Sequence, residues 1–200
     1  NTASNNVLTF ARIAELQYAD YTVDSILLAI AQDTSRPRLR KAGFVARFKQ
    51  ASFKGLTVEE TTLQGNVDKG TVMSELSIKD KTGSNKYLVR ANYYNDSARP
   101  YAWLSDTLLL NKTRWKVNPE NKIYLRPNQI RGSNLEISQG NEMIAVHADE
   151  NAPNGLPMRV SIDHFHLESL AGMVISDTTG ALIRGEVNGH FTLESTSPLR

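Results

Sequence analysis

The sequence contains no cysteine, which removes disulfides, thiolate metal sites and cysteine nucleophiles in one step without fixing the redox compartment. It lacks an excess of either charge as well: 23 Lys and Arg stand against 21 Asp and Glu, a net +2, with both signs mixed along the chain. A basic stripe for a phosphate backbone is therefore missing, and nucleic acid is not an expected partner. No apolar run approaches the roughly 18 residues that cross a bilayer as a helix. The opening "NTASNNVLTF" has neither an initiator Met nor a basic leader followed by an apolar one. The chain is expected to be an excerpt of a longer protein or a processed product.

Reactive constellations are equally scarce. There is no GxSxG elbow and no HExxH, and "GNVDKGT" (65–71) lacks the Lys-Ser/Thr ending of a phosphate loop. Glu59 and Glu60 are neighbours, and neighbours on a strand point to opposite faces, so they cannot act together as acid and base on one substrate. His164 and His166, two apart in "DHFHLE", would share a strand face as half of a metal site. Further ligands would have to come from His147, His190 or Glu168, which no local spacing recommends. The plainer interpretation is a polar face with Phe165 and Leu167 packed inside. No catalytic residue, metal or cofactor is expected, and the chain is not expected to be an enzyme.

What the sequence does have is alternation. With 200 residues and 40% hydrophobic content it can bury a core. "TVMSELSIK" sets Val72, Leu76 and Ile78 on one face and Met73, Glu75, Ser77 and Lys79 on the other. A turn at "KDKTGSN" follows, and "KYLVRANY" continues with Tyr87, Val89, Ala91 and Tyr93 opposite Lys86, Arg90 and Asn92. Trp115 and Val117 alternate with Arg114 and Lys116, "NPEN" (118–121) is a turn cluster, and Pro127 stops the next strand or places it at an edge. "NEMIAVHA" carries Ile144 and Val146. In "ALIRGEVNGHFTLES", Ile183, Val187 and Phe191 share a face with Gly185 and Gly189. The run from Val7 to Gln32 fits helix or strand, and its flank "YADYTVDSI" tips it towards strands. "LESLAGMVIS" is the one later helix candidate.

Ten or more short strands, each with one polar and one apolar face, predict an all-β antiparallel protein. It would be an elongated, curved open sheet with an apolar concave face, or alternatively a closed β-sandwich. The expected organisation is one β-rich segment over 1–200, with possible sub-units 1–107 and 108–200. The aromatics Tyr18, Tyr21, Tyr87, Tyr93, Tyr94, Tyr101, Trp103 and Trp115 could stack sugars or bases, although half of such strand positions belong in a core.

Three passages in order, "LQYADYTVDSILLAIAQD", "TRWKVNPENKIYLRPNQIRGSNLEISQGNEMIAVHADE" and "LPMRVSIDHFHLESLAGMVISDTTGALIRGEVNGHFTLES", resemble the TamB/AsmA-like family of long envelope proteins, especially those of Bacteroidetes type. The features that carry the resemblance are Trp115 before the Asn118-Pro119 turn, the strand from Gly140 to Ala148, the aromatic strand from Val160 to Leu167, and the closing strand from Gly180 to Gly189. The resemblance covers most of the chain and is firmest after Leu108.

The resemblance implies a slice of a folded-over sheet, a β-taco, in a periplasmic protein anchored in the inner membrane. It further implies a role in outer-membrane biogenesis: phospholipid transport along a hydrophobic groove, with a barrel protein of the TamA kind as partner of other parts of the full chain. Alternation then nominates Val72, Leu76, Ile78, Val89, Ile144, Val146, Ile183, Val187 and Phe191 as groove lining. A register slip of one residue would exchange that whole set for its neighbours. Exposed edge strands could also pair with a second copy. The alternative function is a β-sandwich binding or adhesion module for protein or glycan, and a hydrolase on a β-scaffold comes third.

Overall fold

The computed structural model describes residues 6–33, 41–53, 56–95, 100–126, 129–148, 157–169 and 184–194. These are almost entirely antiparallel β-sheet, with seventeen strands and one helical turn at 167–169. The chain is thus all-β, and its sheet is open. It divides into two compact units, residues 1–92 and 93–200.

The first unit is a meander. Its strands are β1 (Asn6–Tyr18), β2 (Tyr21–Asp33), β3 (Lys41–Phe48), β4 (Gln50–Phe53), β5 (Leu56–Val58), β6 (Thr61–Asp68), β7 (Thr71–Lys79) and β8 (Asn85–Tyr94), the last two residues of β8 belonging to the second unit. Tight turns set the register. The β6–β7 turn has Lys69 at φ 50° and Gly70 at φ 82°, the two left-handed residues that a twist-matched two-residue hairpin demands. The β7–β8 turn is organised by the Asp80 carboxylate, which accepts from the backbone N–H of Thr82 (2.8 Å) and of Ser84 (3.0 Å). Short polar side chains hold turns in this way.

Pairing in this unit stays in step across an interruption. β2 pairs with β3 (Leu27↔Arg47 to Asp33↔Lys41) and, in the same alignment, with β4 (Tyr21↔Phe53 to Asp24↔Gln50). The interruption contains Ser25 at φ 55° and the bend at Lys49, whose N–H donates to Asp24 O. β6 and β5 break at Glu59–Glu60 beside it. The apolar series changes parity at this row in each strand: Ile26, Leu28 and Ile30 give way to Val23 and Tyr21, and Phe44, Ala46 and Phe48 to Ala51 and Phe53. Tyr21 and Phe53 stack with ring centroids 4.2 Å apart. Because neighbouring strands slip together, no strand loses its partner's register.

The second unit holds β9 (Tyr101–Leu104), β10 (Thr107–Leu110), β11 (Thr113–Val117), β12 (Lys122–Arg126), β13 (Gln129–Ser133), β14 (Leu135–Gln139), β15 (Glu142–Ala148), β16 (Met158–His166) and β17 (Glu186–Leu193). Pairing runs β10, β11, β14, β15, β16, β17 in succession. A second group pairs β9 with β12 and β12 with β13. Asn134, at φ 52°, turns β13 into β14. That turn lays β13 close over β15, where a Cβ added to Gly132 would stand 3.3 Å from Val146 Cγ1. A side chain there would press Val146 aside by a few tenths of an ångström, so glycine suits the approach.

Every buried apolar side chain among the described residues lies in this unit: Leu108, Trp115, Val117, Ala145, Met158, Val160 and Phe165. Trp115 and Phe165 stack at 5.7 Å. A bulge brings Phe165 there, because the register shifts between Ile162 and Phe165 and His164 sits at φ 47°. The slip lets odd-numbered Phe165 join even-numbered Val160 in the core.

Candidate functional site: an open apolar sheet face

Register lines up apolar residues across the first unit. Ala11, Leu28, Ala46, Leu63 and Leu76 stand opposite one another through β1, β2, β3, β6 and β7. One step away, Thr9, Ile30, Phe44, Gly65 and Ser74 form the next line. Val7, Gln32, Ala42, Val67 and Val72 form the one beyond. Phe48, Thr61 and Ile78 continue the face on the other side. Phe44 fills the space over Gly65, where a Cβ would come within 2.6 Å of the Phe44 ring and 2.2 Å of Met73 O.

This face is not closed over as a core is. Leu28 keeps 44% of its surface exposed, Ile30 56% and Leu63 39%, and Phe44, Phe48, Leu76 and Ile78 are half-buried. Contiguous exposed apolar surface of this kind marks a site of interaction with lipid, ligand or protein.

The opposite face between β3 and β8 is polar and cross-linked. Lys41 pairs with Asp68 at 3.3 Å, Lys79 with Glu60 at 2.9 Å, and Arg90 with Glu75 at 2.6 Å, while Gln64 donates to Glu75 at 3.2 Å. The hydrogen bond from Lys79 holds the Glu60 carboxyl below its ordinary range, aided by the charges of Lys79 and Arg47. The Glu75–Arg90 pair ties β7 to β8. β1 departs from the division: Leu8 and Phe10, on the polar side, are as exposed as Val7 on the other.

The nine nominated lining residues fall into two groups. Val72, Leu76 and Ile78 belong to the open face of the first unit, and Val89 is half-buried on β8, the next strand. In the second unit, Ile144 lies between Ile137 and Ile162, and Val146 between Leu135 and Val160. Gly132 covers Val146. Val187 stands opposite Phe165, which is 2% exposed, and Phe191 stands opposite Val160 but is 48% exposed. Ile183 lies outside the described residues, as does most of "LESLAGMVIS". Sequence reasoning missed Ile26, Leu28, Ile30, Phe44, Phe48 and Leu63. The alternation of Ile26, Leu28 and Ile30 was present but hidden by the apolar Leu27 and Ala29 between them.

The histidines are drawn apart. The bulge at His164 ends the simple two-residue relation with His166. His164 Nδ1 lies 2.8 Å from Glu186 Oε1 on β17, and His166 Nδ1 lies 2.7 Å from Glu142 Oε1 on β15. The Glu186 carboxyl is held below its ordinary range, first by the hydrogen bond from Asn188 and then by His164. Among the described residues, no group of three or more His, Asp or Glu side chains could hold a metal. Of the aromatics, Tyr101 packs at 5.5–6.1 Å against Tyr94, Trp103 and Tyr124, with Lys122 Nζ 5.6 Å from its ring centre.

No helix among the described residues is long and apolar enough to cross a membrane. Comparison with family models, with curated proteins and with solved structures finds no match, so the family resemblance rests on the quoted passages alone.

Proposed function

We propose that this chain is a non-enzymatic segment of a TamB-like envelope protein whose first unit lines part of a hydrophobic path for phospholipid between the inner and outer membranes. One observation carries the proposal: the line Ala11, Leu28, Ala46, Leu63 and Leu76 crosses five strands and stays open at Leu28 and Leu63. A two-tailed phospholipid presents about thirty methylenes, or about 25 kcal/mol of hydrocarbon–water contact at ~0.8 kcal/mol each. Such a cost favours a continuous lining over an isolated pocket. Strands supply the lining by repetition, with backbone pairing giving width and side-chain alternation giving one apolar wall. The full-length protein would sit in the periplasm on an inner-membrane anchor and meet a TamA-type barrel through other parts of its chain. The exposed β1 also supports pairing with a second copy.

A second function is favoured by the second unit. Its stacked Trp115–Phe165 core and the ring cluster around Tyr101 suit a packed module that binds protein or glycan.

The two are separated by native mass spectrometry and lipid extraction of the purified chain beside its Leu63→Asp variant, with folding followed by circular dichroism. Leu63 is exposed, so the variant should stay folded and lose co-purifying phospholipid. Val187→Asp, placed against the Phe165 core, should instead unfold the second unit. Absence of phospholipid from the parent chain, or its retention in folded Leu63→Asp, would remove the lipid-path proposal.

A further inference from the structure

The face of β15, β16 and β17 opposite the Val146–Val160–Phe191 line carries a different chemistry. Register places His147, Arg159 and Thr192 side by side, and pairs Ser161 with His190 one step along. Arg159, Ser161, Asp163, Asn188, His190 and Thr192 line an open hollow against the backbone of Gly189. Directly opposed side chains in antiparallel strands are about 4.5–5.5 Å apart at Cβ, and diagonal ones about 7–8 Å. One guanidinium, two hydroxyls and an imidazole therefore reach a common point a few ångströms across.

Two carboxylates of the flanking strands already have partners. Glu186 is held by His164 and Asn188, and Glu142 by His166 and Ser169. Among the described residues, Asp163 is the one carboxylate in the hollow's lining, two steps along β16 from Arg159 on the same face. Arg159 is exposed and makes no ion pair among the described residues. An unpaired guanidinium has a planar fork of donors that matches a tetrahedral oxyanion in two-point contact.

We propose that this hollow binds a phosphate-class oxyanion. Arg159 makes the two-point contact, while Ser161, Thr192 and His190 donate to the remaining oxygens. Asp163 sets an upper bound on how much negative charge the site accepts. The site lies on the polar face and does not depend on the apolar lining of the first unit, so either can fail alone.

The test is a titration of the ¹⁵N-labelled chain with inorganic phosphate at constant ionic strength. In parallel, retention is measured on phosphatidylcholine vesicles with and without phosphatidylglycerol. Saturable shifts are expected at the amides of Ser161, His190 and Thr192. Removing the charge-assisted contact in Arg159→Gln should weaken them about tenfold, and Asp163→Asn should tighten them about threefold. Lys69→Gln, which removes a cation at the β6–β7 turn of the first unit, should change neither. Retention on the anionic vesicles that depends on Arg159 would identify the oxyanion as a lipid headgroup, and phosphate binding without such retention would identify a free one. Loss of Arg159 dependence in both arms, or shifts that stay linear and spread over the surface, would overturn the proposal.

Discussion

Two buried side chains in the second unit show how single residues set its energetics. Asn121, 1% exposed, accepts from Leu104 N–H at 2.7 Å and donates to Leu104 O at 2.9 Å and to Asn118 O at 2.6 Å. It thereby fastens β9 to the "NPEN" turn. Asn121→Ala strands a backbone donor and acceptor and should cost about 2–3 kcal/mol in chemical denaturation. Trp115 is equally buried, yet its Nε1–H has no hydrogen-bond partner among the described residues. Truncation to Ala should cost about 3–5 kcal/mol by opening a cavity. Trp115→Phe should cost about 1 kcal/mol or less, since the lost volume is offset by removal of an unsatisfied donor. Equal losses in the two variants would show that the indole nitrogen is satisfied after all.

Elements were legible in the sequence wherever alternation ran unbroken. Val72, Leu76 and Ile78 fall on one face of β7, and the polar partners Glu75 and Lys79 face Arg90 and Glu60, because nothing interrupts the period of two. The turn at Asn118–Asn121 was equally readable from its short polar side chains. Three features were not. The slip at Ser25 changes the parity of the apolar residues, and a polar residue at positive φ leaves little trace in composition. The bulge at His164 did the same on β16, so two histidines that look like neighbours on one face bind carboxylates on opposite strands. The third, the fold of β13 over Val146, depends on a long-range approach that Gly132 permits but does not announce.

At the same scale, the Lys79–Glu60 pair carries a pH dependence. The folded carboxyl titrates below its unfolded value of about 4.3. Its contribution is therefore present above that value and lost as pH falls through the folded one. Glu60→Gln should make acid unfolding below about pH 4 shallower while changing neutral stability little, because an exposed ion pair is well screened. Parallel acid curves for the two proteins would contradict this.

Across the whole molecule, burial and openness are unevenly shared. The described buried apolar residues all lie between Leu108 and Phe165, whereas the apolar lines of the first unit remain partly open. Among the described residues, the two carboxyls held below their ordinary range, Glu60 and Glu186, belong to exposed pairs with their own partners. A surface that keeps Leu28, Ile30 and Leu63 in contact with water gains most from an apolar occupant, and the direction of each side chain on β6 says where that occupant must lie. A photo-cross-linking amino acid placed in turn at Leu63, Gln64, Asn66 and Val67 in living cells tests this directly. Cross-links to phospholipid are predicted at 63 and 67 and not at 64 or 66. Lipid adducts without that alternation, or protein adducts at 63 and 67, would contradict an apolar lipid path on this face.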